Sequence, residues 1–193
     1  MNANHALCAT AKWSEHMRND VLDALLDGVD LGTTMLEVGP GPGAATEWLR
    51  RRVPRLCAVE VDADVAAQLE VRFAGTNVEV VTGDATKLEF GDASFDSVGT
   101  FTMLHHLPTT AKQNDVFHEA LRVLRPGGVL VGSDSLHSVG LHDFHEGDVY
   151  NPIEPSSLLV RLQTIGFTDV MVRVGDELRF SARKPVVDDQ QCR

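Results

Sequence analysis

A chain of 193 residues, 43% hydrophobic and 23% charged, suits a single domain with a sizeable core. Seventeen basic residues against 28 acidic ones leave a formal net charge of −11, which disfavours nucleic acid and anionic membrane surfaces as partners. No apolar run approaches the roughly 20 residues that cross a bilayer, residues 1–8 lack the basic-then-apolar pattern of a secretory signal, and Cys8, Cys57 and Cys192 are too few for a disulfide framework, so a cytoplasmic location is expected.

A helical pattern runs from about Ser14 to Asp27, with Val21, Leu22, Leu25 and Leu26 on one face. Strands are expected at 34–38, 56–60, 77–81, 95–101, 128–134, 168–174 and 177–184, and helices at 43–52, 63–73, 110–124 and 155–165. Strands alternating with helices imply crossover connections and a mostly parallel, doubly wound α/β sheet. Asp62 is placed to cap the second of these helices. Pro155 suits the first turn of the last one, and Gly166 suits its C-terminal end. The final two strands, joined near Gly175-Asp176, read as a hairpin. The stretch 135–151 shows no periodicity and contains His137, His142 and His145. It follows the fifth strand at the carboxyl edge of the sheet, where open α/β folds bind ligands. Three segments result: residues 1–30, a helical segment expected to cover a substrate pocket; 31–184, the main domain; and 185–193, a polar, flexible tail.

The richest local pattern is Met35-Leu-Glu-Val-Gly-Pro-Gly-Pro-Gly-Ala-Ala-Thr46, followed by Leu56-Cys-Ala-Val-Glu60. Strand, glycine turn, helix, strand and acid are laid out as for a nucleoside whose ribose hydroxyls meet the acid. A pyrophosphate would need backbone N–H donors at the helix start, and Pro40 and Pro42 have none. A nucleoside without phosphate loses less. Glu37 is placed to orient a cationic group on such a ligand, and the glycines allow close backbone approach.

These residues resemble the first two motifs of the class I S-adenosylmethionine-dependent methyltransferases. Three further segments match in order: Val81-Thr-Gly-Asp-Ala85, Phe95-Asp-Ser-Val with Met103-Leu-His-His-Leu107, and Leu124-Arg-Pro-Gly-Gly-Val-Leu130. The resemblance covers about residues 30–184. It implies a Rossmann-like, doubly wound sheet of seven mostly parallel strands with an antiparallel last strand and helices on both faces. It also implies S-adenosylmethionine as cofactor, with S-adenosylhomocysteine as product. The residues it assigns to the cofactor are Glu37, Gly39, Gly41, Gly43, Glu60, Val61, Asp84, Ala85 and Phe101.

The acceptor half is less legible. His105 and His106 follow the fourth strand, and His137, His142 and His145 follow the fifth. An imidazole near pH 7 suits general-base work, and His106 and His137 are the candidates. Trp13, His105, Ser135, His142 and Tyr150 are candidates for lining the acceptor pocket. His142 and His145 have an i, i+3 spacing but no pattern supplies a further ligand, so no metal is expected. The expected function is in-line methyl transfer to a small molecule by a monomer or homodimer, without nucleic acid or membrane partners.

Three alternatives stand beside that reading. Leu36-Glu-Val-Gly-Pro-Gly with Ala58-Val-Glu-Val-Asp62 is similar to ribosomal RNA adenine dimethylases. Those enzymes carry an Asn-Leu-Pro-Tyr-like tetrad where this chain reads Phe101-Thr-Met-Leu-His-His-Leu-Pro108. A non-catalytic relative that binds the cofactor is the second alternative. An NAD-dependent oxidoreductase is the third, disfavoured by the prolines of the glycine turn.

Overall fold

Apolar residues on alternate faces of each central strand require cover on both sides of the sheet. The computed structural model describes residues 7–186, so residues 1–6 of the N-terminal segment and residues 187–193 of the expected tail lie outside the described residues. Its strands are β1 (Thr34–Val38), β2 (Arg55–Glu60), β3 (Val78–Thr82), β4 (Phe95–Phe101), β5 (Leu124–Asp134), β6 (Thr168–Val174) and β7 (Leu178–Arg183). They form one sheet in the order β3-β2-β1-β4-β5-β7-β6. The pairs among β1 to β5 are parallel, and β7 runs antiparallel to both β5 and β6. This is the expected doubly wound sheet with an antiparallel last strand.

The helices are α1 (Ala11–His16), α2 (Asp23–Leu26), α3 (Ala44–Leu49), α4 (Ala63–Arg72), α5 (Thr110–Val123), α6 (Val139–Phe144) and α7 (Pro155–Ile165). Leu36, Val38, Val98 and Leu130 of the sheet pack with Val116 and Phe117 of α5 and Leu158 and Leu162 of α7. The opposite face carries Met35, Leu56, Val129 and Val131 against Val21, Leu22, Leu26, Trp48 and Leu49. Full burial of one such side chain contributes roughly 1.5–3 kcal/mol.

The N-terminal helical segment begins earlier than the pattern indicates, because the Thr10 hydroxyl accepts the Trp13 N–H and caps it. Between α1 and α2 the chain winds as a π-helix over Met17–Leu22, which turns Met17, Val21 and Leu22 into the core. His16 anchors this segment to the β6–β7 hairpin. Its Nδ1 lies 2.9 Å from Asp20 Oδ2 and its Nε2 lies 2.9 Å from Glu177 Oε1. Partial burial opposes protonation, but the two carboxylates outweigh it and raise the His16 pKa. Strand β5 starts at Leu124, four residues before its expected beginning, through a register shift opposite Phe95–Ser97. The loop 135–151, expected to be irregular, contains α6, capped by Ser138.

The basic run Arg50-Arg51-Arg52 is absorbed at the end of α3. Arg50 and Arg51 pair with Glu47, and Arg52 stacks over the Trp48 ring at 3.0 Å and reaches Asp23. At the amino edge of the sheet, Asp96 Oδ2 accepts the backbone N–H and hydroxyl of both Thr33 and Thr34, each at 2.9 Å. Arg125 pairs with its other oxygen. Partial burial would raise the Asp96 pKa, but these donors hold it well below the usual carboxylate range. Its stabilisation is therefore present above the unfolded-state pKa near 4 and lost as pH falls. Asp96→Ala is expected to lower stability at pH 7 by about 2 kcal/mol, the worth of hydrogen bonds to a charged group. Urea unfolding at pH 7 checks this, and a difference that does not shrink towards pH 3 contradicts it.

Candidate cofactor and acceptor site

Buried polar residues mark where this fold departs from pure packing. Glu37, Glu60, Thr100, Ser133 and Asp134 are all buried, and all stand at or next to the carboxyl ends of β1, β2, β4 and β5. Burying such groups is costly unless they are partnered or used. They define one edge of the sheet as the site.

The glycine turn joins β1 to α3. Gly39, Gly41 and Gly43 have φ of +65°, +51° and +83°, a region that other residues enter only with strain. A Cβ on Gly39 would lie 2.9 Å from Met103 Cβ, and one on Gly43 would lie 2.7 Å from Leu69. A Cβ on Gly41 would meet nothing within 4 Å. Two of the glycines therefore serve internal packing, and Gly41 alone faces open space. Its N–H donates to Glu60 Oε2 at 3.1 Å, while Glu60 Oε1 accepts the Asp62 N–H at 3.1 Å. Each Glu60 oxygen keeps a second lone pair for a hydroxyl donor. Asp62 in turn caps α4, as expected, accepting from the N–H groups of Asp64 and Val65.

Glu37 is 1% exposed, and its Oε2 has no hydrogen-bond partner among the described residues. Burial pushes its carboxyl up to about 7; the Thr46 hydroxyl works in the opposite direction without reaching good hydrogen-bond geometry, and Glu60 adds to the rise. A buried acid with an unused oxygen beside an open glycine fits a cationic ligand group. Val61 is 71% exposed at the end of β2, an apolar surface suited to a flat ring. Asp84 is exposed, and its Oδ1 accepts the N–H and hydroxyl of Thr86, leaving Oδ2 for a ligand. Ala85 is buried beside it. The Phe101 ring lies inside the core shared with the N-terminal helices, so what this residue offers the edge is backbone. These features together fit a nucleoside with a cationic tail. A recess of about 740 Å³ opens on the α1 side of the turn, where Ala44 and Arg72 meet Ser14 and Arg18.

On the acceptor side, a 3-10 turn over Leu104–His106 follows β4. It places His105 and His106 with ring centroids 4.1 Å apart. His145, just past α6, joins them at 5.0 Å from His105 and 5.2 Å from His106. Tyr150 stacks on His145 at 4.7 Å and is half-buried, and that burial pushes its phenol pKa up. His137 and His142 are exposed, with rings 6.0 and 6.1 Å from Tyr150. Ser135 is partly buried after β5, and Trp13 packs on the N-terminal core near His16.

Two residues gained weight only in three dimensions. Asp134 binds His105 Nδ1 and the N–H groups of Leu104 and Ser135. Its signal was a polar Ser133-Asp134 pair ending an apolar strand. His145 shared a sequence spacing with His142, yet α6 turns His142 to solvent and His145 inward.

A methyltransferase-domain family profile matches residues 36–132, half of the chain. The chain belongs to the class I S-adenosylmethionine-dependent methyltransferases. It is 36% identical to an uncharacterized methyltransferase of Mycobacterium tuberculosis (strain ATCC 25618 / H37Rv) over 110 residues, 56% of this chain and 54% of that protein. It is 31% identical to the ribosomal RNA small subunit methyltransferase A of Methylibium petroleiphilum over 114 residues, 57% of this chain and 43% of that protein. The chain thus spans about half the length of the curated relatives it matches. A solved S-adenosylmethionine-dependent methyltransferase of Methanosarcina mazei shares the fold, with a TM-score of 0.70 at 16% identity over 85% of this chain and 98% of that one. Among the described residues, no helix of this methyltransferase-family chain is long and apolar enough to cross a membrane.

Proposed function

We propose that the chain binds S-adenosylmethionine and transfers its methyl group in line to a small-molecule acceptor. The observation that carries this reading is the pairing of buried Glu37, with its unused oxygen, and Gly41, which faces open space. When bound, the cofactor supplies a methyl group already activated on a sulfonium. Glu37 orients the ammonium of the amino-acid tail, Glu60 takes the ribose hydroxyls, and Asp84 takes the adenine amino group. Val61 and Ala85 flank the ring, and Gly39, Gly41, Gly43 and the Phe101 backbone shape the cradle. The chain's contribution to the reaction is alignment and exclusion of water. An acceptor hydroxyl or amine must also lose a proton, and His106 and His137 are the bases offered for it. Trp13, His105, Ser135, His142 and Tyr150 line the acceptor side, and residues 7–30, the described part of the segment 1–30, cover it.

Ribosomal RNA is the second acceptor reading, favoured by the 31% identity to a ribosomal RNA methyltransferase. The net charge of −11 weighs against it, because phosphate contacts need a basic face. Calorimetric titration with S-adenosylmethionine and, separately, NAD tests the cofactor half. Micromolar binding of the methyl donor alone is expected, and binding of NAD alone overturns the proposal. Transfer of labelled methyl to RNA, with none to small hydroxylated or amine acceptors, replaces the small-molecule reading with the second one.

A further inference from the structure

Three imidazoles meet where β4 and β5 end. His105 and His145 are buried, His106 is partly exposed, and one ring nitrogen from each lies within 4.8 Å of the other two. A pocket of polar nitrogens this dense is poor packing material, so its chemistry calls for an account.

The hydrogen bonds of two of the rings decide which nitrogen each presents. His105 Nδ1 lies 2.5 Å from Asp134 Oδ1. The same carboxylate accepts the Ser135 N–H at 2.8 Å and, through Oδ2, the Leu104 N–H at 3.0 Å. A carboxylate held by two backbone donors is an acceptor, so His105 Nδ1 carries the proton and Nε2 carries the lone pair. His145 Nδ1 lies 2.7 Å from the Leu141 carbonyl, which only accepts. Its Nε2 is likewise the basic nitrogen. Tyr150, stacked on His145 with an interplanar angle of 20°, fixes the plane of that ring. An imidazole with its second nitrogen donated to a carboxylate or a carbonyl is the arrangement that surrounds metal-ligating histidines.

We infer that His105, His106 and His145 bind a divalent transition ion of the zinc type through three ring nitrogens, leaving one position open for the acceptor. An all-imidazole set selects zinc, cobalt or nickel over magnesium or calcium. Three protein ligands, in place of four, are the pattern of a site that keeps a position for substrate. Metal–nitrogen bonds of about 2.0–2.1 Å require nitrogens about 3.4 Å apart, so the rings draw inward by roughly an ångström on binding. In the sequence the i, i+3 pair His142 and His145 has no further ligand and no metal is expected; the fold replaces His142 with two histidines from the turn after β4.

The role of the ion rests on the methyl-transfer reading. An acceptor hydroxyl in the open position loses its proton to bulk solvent, and the electron pair stays on an oxygen held by the ion. His106 is then a ligand in place of a base. The acceptors this favours are phenols, enols and other hydroxyl compounds.

The test uses the full chain, stripped with a chelator and titrated with cobalt(II) while visible absorption is followed. One equivalent giving strong d–d bands that zinc(II) abolishes is expected. His145→Ala and His106→Ala are each expected to weaken cobalt binding by about 100-fold, and Asp134→Asn by about 10- to 100-fold. His142→Ala is expected to leave it unchanged. Calorimetric binding of S-adenosylmethionine to each variant reports that the fold survives. Failure of the wild-type chain to bind cobalt stoichiometrically, or full affinity in His145→Ala, overturns the metal site while leaving the methyl-donor reading intact. Cobalt binding without methyl-donor binding keeps the metal site and removes its proposed role.

Discussion

Gly41→Val is expected to weaken S-adenosylmethionine binding by roughly 100-fold or more, a loss of about 3 kcal/mol, in a chain that still folds. The three glycines of the turn are not equivalent. Substitution at Gly39 drives a Cβ into Met103, and at Gly43 into Leu69 and Phe73, so either variant mixes packing damage with ligand effects. Gly41 has no neighbour there within 4 Å. A side chain at this position fits the protein and fills the space a ligand needs. The cost to folding is the left-handed backbone at φ +51°, about 1–2 kcal/mol for a residue with a Cβ. Calorimetry for binding and a thermal melt for folding separate the two effects. Wild-type affinity in a folded Gly41→Val chain removes the turn from the cofactor site.

Glu37→Gln is expected to stabilise the protein and impair it at once. The folded carboxyl is raised from 4.5 to about 7 by burial. A raised carboxyl gives stability that is fully present below pH 4.5 and lost as pH rises through 7. At pH 8 the buried charge costs on the order of 3 kcal/mol. Glutamine has nearly the same shape and no charge, so its melting temperature at pH 8 should exceed wild type by roughly 5–10 °C. At pH 4 the two should coincide. Binding runs the other way. A cationic ligand favours the carboxylate, so wild-type affinity should fall by about tenfold per unit below pH 7, with a proton released on binding. The glutamine variant should bind weakly and show no such slope. Calorimetry in buffers of different ionisation enthalpy measures the proton. A variant no more stable than wild type at pH 8, or pH-independent binding by wild type, contradicts the assignment of Glu37.

The legible parts of the chain were those whose cause is local. Gly39 to Gly43, the Asp62 cap, and Pro155 and Gly166 at either end of α7 announce their backbone conformations through residue type alone. The alternation in Met35-Leu36 and Val129-Leu130-Val131 announces a sheet covered on both faces. The histidine cluster was legible only in outline, since the ends of the fourth and fifth strands face one crevice but nothing local says which of the five rings meet there. His105 and His145 are far apart in sequence and meet because α6, a helix of six residues with no buried residue of its own, reverses the chain. A helix that short leaves almost no periodic signal. The π-helix at Met17–Leu22 was hidden for a related reason, since its wider turn follows no 3.6-residue rule.

The placement of β7 between β5 and β6 has a consequence for the order of folding. Strand β5 carries the buried run Val129-Leu130-Val131, and its second edge is covered by Leu178–Arg183, late in the chain. Until β7 docks, Val129, Leu130 and Val131 stand on an open strand edge, a template for pairing with other chains. Completion of the sheet waits for the last hairpin, so a folding intermediate with β1 to β5 paired and β7 undocked is the species most open to aggregation.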